Sequence, residues 1–210
     1  MSFFPVFLSV VFVVRNQAEH IEKILSEAAV DISSLVSDYE FIIVDNASDD
    51  DSVTVLKRLT GENGQPNLQV FALTKEVNAD TASWVGLENA LGDFVAVIDP
   101  LVDDIAFLPD MLDKAVSGAD VVFANNSQKP KQSFAYTGAY AIFHGAYKWF
   151  NGIHLATEAP QYRILSKRVV NFILQHPQPV ITYRHLPASG GLLVLISTTV
   201  QFRKPPIPSG

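Results

Sequence analysis

Short apolar segments rich in β-branched residues alternate along the first 125 residues with segments whose apolar side chains recur at helical spacing. The predicted strands cover residues 9–14, 40–44, 68–73, 94–98 and 119–124, and the predicted helices cover residues 17–36, 50–59, 81–91 and 106–116. Strands that alternate with helices pair mostly in parallel, because each helix carries the chain back across the sheet. The sequence therefore predicts an α/β fold, a Rossmann-like, mostly parallel sheet with helices on both faces.

Four residues are predicted to cap, close or interrupt these helices. Ser48 or Asp49 is the predicted N-cap of the second helix, because a side-chain oxygen there can accept from an unpaired backbone N–H. Gly92 is predicted to close the third helix, and Pro109 to interrupt the fourth near its start.

The pattern changes after residue 125. A polar stretch with Lys129 and Lys131 precedes residues 134–153, which are rich in Phe, Tyr and Trp. Two interpretations stay open: an amphipathic helix that faces a membrane, with the lysines near anionic headgroups, or aromatic side chains of the core. Beyond this region we predict a helix at 162–175 and strands at 180–186 and 192–198.

Composition excludes several classes of protein. The formal charge of −7 argues against general binding of nucleic acid, and the absence of cysteine excludes disulfides and thiolate metal sites. The apolar run at 3–14 is shorter than the roughly 20 residues that span a bilayer, so it is predicted to be a buried strand. We predict one domain over 1–202, followed at 203–210 by either a linker to a further segment or an ordinary frayed terminus.

Polar residues follow three of the predicted strands. They are Arg15, Asn16 and Gln17 after the first strand, residues 45–49 after the second, and residues 99–104 after the fourth. Ligands of open α/β sheets bind outside the carboxyl ends of the strands. No glycine-rich phosphate loop is present, which argues against a dinucleotide dehydrogenase and a P-loop NTPase. A nucleotide held by carboxylates and a metal ion remains compatible with this edge.

Four segments carry a resemblance to a known family. Residues 9–19 resemble S-V-V-I-P-V-Y-N-E, residues 40–50 resemble E-I-I-V-D-D-G-S-x-D, residues 78–99 resemble N-x-G…A-x-G-D-Y…D-x-D, and residues 161–170 resemble D-F-R-L-L-S-R-R-V-V. In this order and spacing the chain is similar to inverting family 2 glycosyltransferases, and within them to the polyprenyl-phosphate sugar synthase branch. The resemblance implies a GT-A fold, a UDP- or GDP-linked sugar donor and Mg²⁺ or Mn²⁺. It further implies a polyprenyl or dolichyl phosphate acceptor at the cytosolic face of a membrane, where many members carry transmembrane helices after the catalytic domain.

The resemblance also assigns residues to the donor. Asp45 matches the carboxylate that accepts from the base of the nucleotide, with helix capping as the alternative role. Asn16 and the backbone of Val13 and Val14 would line the base and the ribose. Gln17 stands where the family usually has Glu, so it can form hydrogen bonds there but brings no charge.

Asp99 matches the first carboxylate of D-x-D and is the candidate ligand for the metal ion that neutralises the donor diphosphate. The second position of that motif is Leu101, which cannot ligate a metal. Asp103 or Asp104 would substitute if the loop bends inward. Capping of a helix near Ala106 is the alternative role for both.

The catalytic position departs from the family. A phosphate acceptor is already an anion, so it has less need of a general base than a hydroxyl acceptor. In the implied branch an aspartate stands two residues before the arginine of D-F-R, and here that residue is Gln161. Glu158 is the only carboxylate between Phe150 and Arg168 and is the candidate base or acceptor-positioning residue. Arg163 matches the family arginine and is predicted to bind phosphate, with a surface helix arginine as the alternative.

Three hypotheses of function follow. The first is sugar transfer to a lipid phosphate, and the second is transfer to a saccharide hydroxyl with Glu158 as base. The third is a relative that binds nucleotide-sugar without turnover, which Gln17, Leu101, Gln161 and Asp80 favour, the last standing where the family often has Gly. Contact with a membrane surface and assembly as a homo-oligomer also stay open.

Overall fold

The computed structural model describes residues 3–126, 161–184 and 194–199. Seven strands are present in these ranges: β1 (Phe4–Val14), β2 (Val36–Asp45), β3 (Leu68–Ala72), β4 (Phe94–Ile98), β5 (Val121–Asn126), β6 (Arg163–Ser166) and β7 (Val194–Thr199). The helices are α1 (Ile21–Ser33), α2 (Ser52–Leu59), α3 (Ala79–Glu88), α4 (Leu108–Val116), α5 (Lys167–Gln175) and α6 (Pro179–Arg184), and a 3₁₀ turn at Ile105–Phe107 precedes α4.

The strands form one sheet in the order β3-β2-β1-β4-β6-β5-β7. All described pairings are parallel except those of β6, which runs antiparallel to β4 and to β5. The chain builds outward from β1 to β3 and then returns to place β4 on the other side of β1. Such a reversal opens a crevice at the carboxyl ends of the two central strands.

The register brings the three polar loops to that crevice. Val14 at the end of β1 lies opposite Asp45 at the end of β2, and Phe12 lies opposite Ile98 at the end of β4. We call this side of the sheet the carboxyl edge, and the side where β3, β4 and β5 begin the amino edge. The predicted convergence of the loops after β1, β2 and β4 is confirmed.

Each face of the sheet is covered by its own hydrophobic cluster. One cluster joins strand residues such as Phe12 to α1, α2 and α4, and the other joins residues such as Val11 to α3, α5 and α6. Neighbouring strand residues point to opposite faces, so a strand buried on both sides reads as a continuous apolar run. The predicted α/β architecture with helices on both faces is therefore confirmed.

Two predicted elements are wrong. Residues 162–166 do not begin a helix, because Arg163–Ser166 form the strand β6 and α5 starts only at Lys167. The predicted strand at 180–186 is instead the helix α6, whose Thr182 and Tyr183 pack inward. Both errors come from short apolar runs, in which periodicity cannot separate a helix from a strand that finds partners on both sides.

The predicted helix ends also need correction. Neither Ser48 nor Asp49 caps α2, which begins at Ser52 after Asp51. Pro109 lies in the first turn of α4, where its missing N–H costs nothing, so it starts the helix rather than interrupting it.

Gly92 is not a helix end, because α3 stops at Glu88 with Asn89 as its C-cap. It lies instead where the chain passes close to β1. A Cβ at Gly92 would be 2.6 Å from the Ser9 backbone nitrogen and 2.8 Å from the Phe7 oxygen. Only glycine fits this approach, and its N–H donates to Ser9 Oγ at 2.8 Å.

Some predictions concern residues outside the described ranges. They are the aromatic region at 134–153 with Lys129 and Lys131, the candidate Glu158, and the tail at 203–210. Within the described ranges, none of the helices combines the length and the hydropathy needed to cross a membrane.

Candidate functional site

The loop after β1 is fastened to the loop after β2 at the carboxyl edge. The Asn16 N–H donates to Ser48 Oγ at 2.8 Å, and the Asp49 N–H donates to Asn16 Oδ1 at 2.9 Å. The Gln17 N–H donates to Ser52 Oγ at 2.7 Å. These bonds hold the first two polar loops as one unit, and they occupy the side-chain oxygen of Asn16.

Two residues in these loops have left-handed backbone conformations. Asn16 has φ 54° and Ala47 has φ 56°. Asn tolerates this region, but Ala is uncommon there, and the family motif V-D-D-G-S has glycine at the position of Ala47. Backbone strain of this kind is kept where the surrounding structure enforces it, and it concentrates at functional sites.

Asp45 closes the turn that follows β2. Its side chain is fully buried, Oδ1 accepts from Ser48 Oγ at 2.5 Å, and Oδ2 accepts from the Ser48 N–H at 3.1 Å. Its backbone oxygen accepts from the Leu73 N–H at 2.9 Å. Asp45 thus lies at the predicted edge, but a nucleotide base would have to replace Ser48 to bond with its carboxylate.

Asn46, next to Asp45, connects β2 to the start of α3. Its Nδ2 donates to the Val77 oxygen at 2.8 Å, and its Oδ1 accepts from the Val77 N–H at 2.9 Å. Asn78, the residue after Val77, caps α3 because its side-chain oxygen accepts from the Thr81 N–H. The N-terminal turn of α3 is thereby fixed beside the carboxyl edge.

Gln17 presents an unpaired acceptor in this region. Its Nε2 donates to the Arg15 backbone oxygen at 3.1 Å, whereas Oε1 is buried and finds no partner within the described part of the chain. Leaving a buried acceptor unpaired costs about 1–3 kcal/mol. An N–H or O–H group of a ligand would remove that cost.

Arg15 bridges the same loops from the outside. Its guanidinium lies 3.0 Å from Asp49 Oδ2 and 2.7 Å from Glu76 Oε2. These contacts tie the loop after β2 to the chain that leads into α3. The guanidinium also brings positive charge to an edge rich in carboxylates.

Asp99 and Asp103 lie together after β4. The Asp99 N–H donates to Asp103 Oδ2 at 2.9 Å, and Asp99 Oδ1 accepts from the Leu101 N–H at 3.0 Å. Burial raises the pKa of Asp99, and burial together with the charge of Asp99 raises the pKa of Asp103 to about 7. Asp103 therefore lies against Asp99 and does not cap the helix. Asp104 does so, since its Oδ1 accepts from the Ala106 N–H at 3.0 Å.

The pair Asp99 and Asp103 fits a divalent cation in part. Two carboxylates with raised pKa values lose repulsion when a cation lies between them, and Mg²⁺ needs only one or two carboxylates when phosphates and waters complete its shell. Within residues 3–126, 161–184 and 194–199 no group of three or more His, Asp or Glu side chains forms a complete site. Leu101 contributes no ligand.

Arg163 is not the surface helix arginine of the alternative interpretation. It belongs to β6, is 1% exposed, and its guanidinium carbon lies 5.2 Å from the Phe123 ring centre and 4.2 Å from that of Tyr183. Its Nη1 donates to the Tyr183 backbone oxygen at 3.0 Å. The side chain lies in the core, where it holds the end of α6 against the sheet.

Gln161, which the resemblance places at the catalytic position, contacts Asp80 on α3. Its Nε2 donates to Asp80 Oδ1 at 3.1 Å, and Arg184 Nε donates to Asp80 Oδ2 at 2.6 Å. In the sequence, Asp80 stands out only as a departure from the glycine of the family, and nothing marks Arg184. The contact joins residues 104 positions apart, so no local pattern could have revealed it.

The sequence matches the family described as Glycosyl transferase family 2 over residues 9–177. The chain belongs to this family. An uncharacterized glycosyltransferase of Synechocystis sp. is 23% identical over 81% of this chain and 54% of its own length. The undecaprenyl-phosphate 4-deoxy-4-formamido-L-arabinose transferase of Aeromonas hydrophila is 24% identical over 80% of this chain and 51% of its own length. A bactoprenol glucosyl transferase of Shigella phage SfV is 24% identical over 66% of this chain and 45% of its own length.

This family 2 chain thus spans about half the length of the curated relatives it matches. Among solved structures, glucosyl-3-phosphoglycerate synthase from Mycobacterium tuberculosis, in complex with Mn²⁺ and UDP-glucose, has a TM-score of 0.59 at 15% identity. The match covers 95% of this chain and 72% of that one. It shows that the chain has the GT-A fold.

Proposed function

We propose that this chain transfers a sugar from a nucleoside diphosphate donor to a polyprenyl phosphate. The observation that carries the proposal is the meeting of three loops, with Asn16, Asp45 and Asp99, at the carboxyl edge of a family 2 domain. The acceptor class is supported by relatives named for undecaprenyl phosphate and bactoprenol. Because such acceptors are membrane lipids, we also propose that the chain works at the cytosolic face of a membrane.

In this reaction an oxygen of the acceptor phosphate attacks the anomeric carbon of the donor sugar. The new carbon–oxygen bond forms as the bond to the β-phosphate oxygen breaks, and the nucleoside diphosphate leaves with that electron pair. The acceptor is already ionised, so no strong general base is required. This agrees with an amide, Gln161, at the family's catalytic position.

The donor is proposed to lie between the loops after β1 and β4. Val14, Asn16, Gln17 and Asp45 would line the base and ribose, with Gln17 Oε1 as the acceptor that lacks a partner among the described residues. Asp99 and Asp103 would hold Mg²⁺ or Mn²⁺, as the Mn²⁺ in the mycobacterial enzyme suggests. When bound, this cation neutralises charge on the departing diphosphate.

The test is a calorimetric titration of UDP- and GDP-sugars with and without Mn²⁺, followed by an assay with a polyprenyl phosphate. We expect donor binding that depends on Mn²⁺ and sugar transfer that falls at least about 100-fold in Asp99→Ala. Asp104→Asn is the matched control, because asparagine can still cap the 3₁₀ turn. If no nucleotide-sugar binds, the proposal fails.

A second candidate is a relative that binds nucleotide-sugar without turnover. Asp45 is fully buried and makes two hydrogen bonds with Ser48, which favours this candidate. Leu101 in the loop after β4 also favours it, because its side chain cannot ligate a metal. This candidate predicts donor binding with no product. Transfer that is lost in Asp99→Ala would exclude it. Transfer to a saccharide hydroxyl that needs Glu158 would instead support the hydroxyl-acceptor alternative.

A further inference from the structure

Arg184 is an exposed cation fixed by a buried carboxylate. Its side chain is 59% exposed, whereas that of Asp80, which it contacts at 2.6 Å, is 4% exposed. The bond to Asp80 uses Nε, which leaves the terminal nitrogens at the outer end of the guanidinium. An arginine held in this way loses less freedom when it binds an anion than one that moves freely.

This ion pair lies at the carboxyl edge. Asp80 is in the first turn of α3, which Asn46 fastens to the end of β2. Gln161, the other partner of Asp80, precedes β6, and β6 begins with Arg163 opposite Val97 near the end of β4. The pair is therefore on the same side of the sheet as Asp99, close to the family's catalytic position.

Arg163 supports Arg184 rather than a substrate. Its guanidinium contacts the rings of Phe123 and Tyr183 and donates to the Tyr183 backbone oxygen at 3.0 Å. Tyr183 immediately precedes Arg184 and is fully buried. The buried arginine thus fixes the backbone from which the exposed arginine projects.

We propose that Arg184 binds the phosphate of the acceptor and that Asp80 is the positioning residue that orients both Arg184 and Gln161. This inference rests on the proposed function, since it names the acceptor side of the same site. A guanidinium offers two parallel N–H donors to phosphate, which suits a phosphate monoester. Gln161 brings no charge to this position, but Asp80 supplies a carboxylate there from α3 and gives Arg184 an acidic partner.

The experiment measures acceptor and donor binding separately. Farnesyl phosphate, farnesol and inorganic phosphate are titrated into the full chain without donor, and UDP- and GDP-sugars are titrated with Mn²⁺. We expect Arg184→Met to weaken farnesyl phosphate about 10- to 100-fold, Arg184→Lys to recover part of that loss, and the donor Kd to change less than about two-fold. In the transfer assay, Asp80→Asn is expected to raise the acceptor KM about five-fold without changing the donor KM.

Arg168 provides the matched control. It is also an exposed arginine, 67% exposed, whose Nε donates to the buried Asp120 at 3.0 Å, but it lies at the amino edge. Arg168→Met should bind farnesyl phosphate like the wild type.

Equal binding of farnesyl phosphate and farnesol by the wild type would overturn the inference, whereas the donor titration separately tests the proposed function. Loss of donor affinity in Arg184→Met would overturn it in favour of a donor-diphosphate role, and wild-type acceptor affinity in Arg184→Met would overturn it outright.

Discussion

The carboxyl edge and the amino edge of the sheet both hold buried polar side chains, yet their bonding differs. At the amino edge, Glu40 Oε1 accepts from Ser9 Oγ and from the Leu91 N–H, and Oε2 accepts from Gln69 Nε2. At the carboxyl edge, Gln17 Oε1 lacks a described partner, and burial together with the charge of Asp99 raises the pKa of Asp103. Among the described residues, the polar groups around Glu40 at the amino edge are paired, whereas the carboxyl edge keeps an unpaired acceptor and a carboxyl group whose ionisation is disfavoured.

This difference changes how the family motifs are interpreted. Glu40, Gly92 and Asp93 all lie in motif segments, and all three act at the amino edge. Asp93 Oδ2 accepts from the Phe7 N–H at 2.9 Å, and Gly92 meets Ser9. A sequence match counts these residues equally with Asp45 and Asp99. Part of the resemblance therefore reports how the sheet is built rather than what it binds.

The largest expected effect is the loss of stability from a substitution at the amino edge. In Gly92→Ala the new Cβ would meet the Ser9 nitrogen at 2.6 Å, and backbone atoms cannot move aside without disturbing β1. We expect the free energy of unfolding to fall by about 3 kcal/mol, measured by urea denaturation. Gly118→Ala is a useful contrast, because nothing lies within 4 Å of its Cβ position and any loss there comes from its φ of 112° alone. Donor affinity of the Gly92→Ala protein that remains folded should be unchanged, and a selective loss of donor affinity would contradict the separation of the two edges.

Much of the fold could be predicted from the sequence, because buried parallel strands read as continuous β-branched runs. The strand at Phe94–Ile98 was predicted with its observed bounds, and the three loops were correctly expected to meet. The identity of β6 and α6 could not be predicted. Their short apolar segments become a strand or a helix according to partners that lie far away in the chain.

The candidate site was harder to predict than the fold. Residue type and position indicated Asp99 and Asp103, but not that Asp45 would be buried beneath Ser48. The ion pair of Asp80 with Arg184 depends on how α3 and α6 pack on one face of the sheet. Such long-range pairing leaves no periodic pattern in either segment.

The second effect concerns the paired carboxylates of the carboxyl edge. The pKa of Asp103 is raised from 3.8 to about 7, so between these values the folded state binds more protons than the unfolded state. The free energy of unfolding should then decrease as the pH rises through this window. Asp103→Asn removes the charge and can still accept from the Asp99 N–H. With divalent cations chelated, we expect it to be about 2 kcal/mol more stable than the wild type at pH 8, with the difference shrinking toward pH 4.

Urea denaturation at the two pH values measures this effect, and Asp104→Asn is the control that should keep the wild-type pH dependence. An Asp103→Asn protein whose stability follows the wild type at every pH would show that burial of this carboxylate carries no cost. The contrast between the edges would then rest on Gln17 alone.

The smallest effect tests that remaining contrast. Gln17→Met keeps the length of the side chain and removes the buried Oε1 together with the bond from Nε2 to Arg15. Because an unpaired buried acceptor costs more than one ordinary hydrogen bond contributes, we expect the protein without ligand to gain about 1 kcal/mol of stability. If Oε1 serves the donor, the same change should weaken nucleotide-sugar binding about five-fold. Gln69→Met, at the amino edge, should instead lose stability, since it leaves Glu40 Oε2 without its described partner. Gains in stability at both positions would mean that the two edges do not differ in this respect. Opposite signs, together with weaker donor binding in Gln17→Met, would show that Gln17 serves binding at a cost in stability.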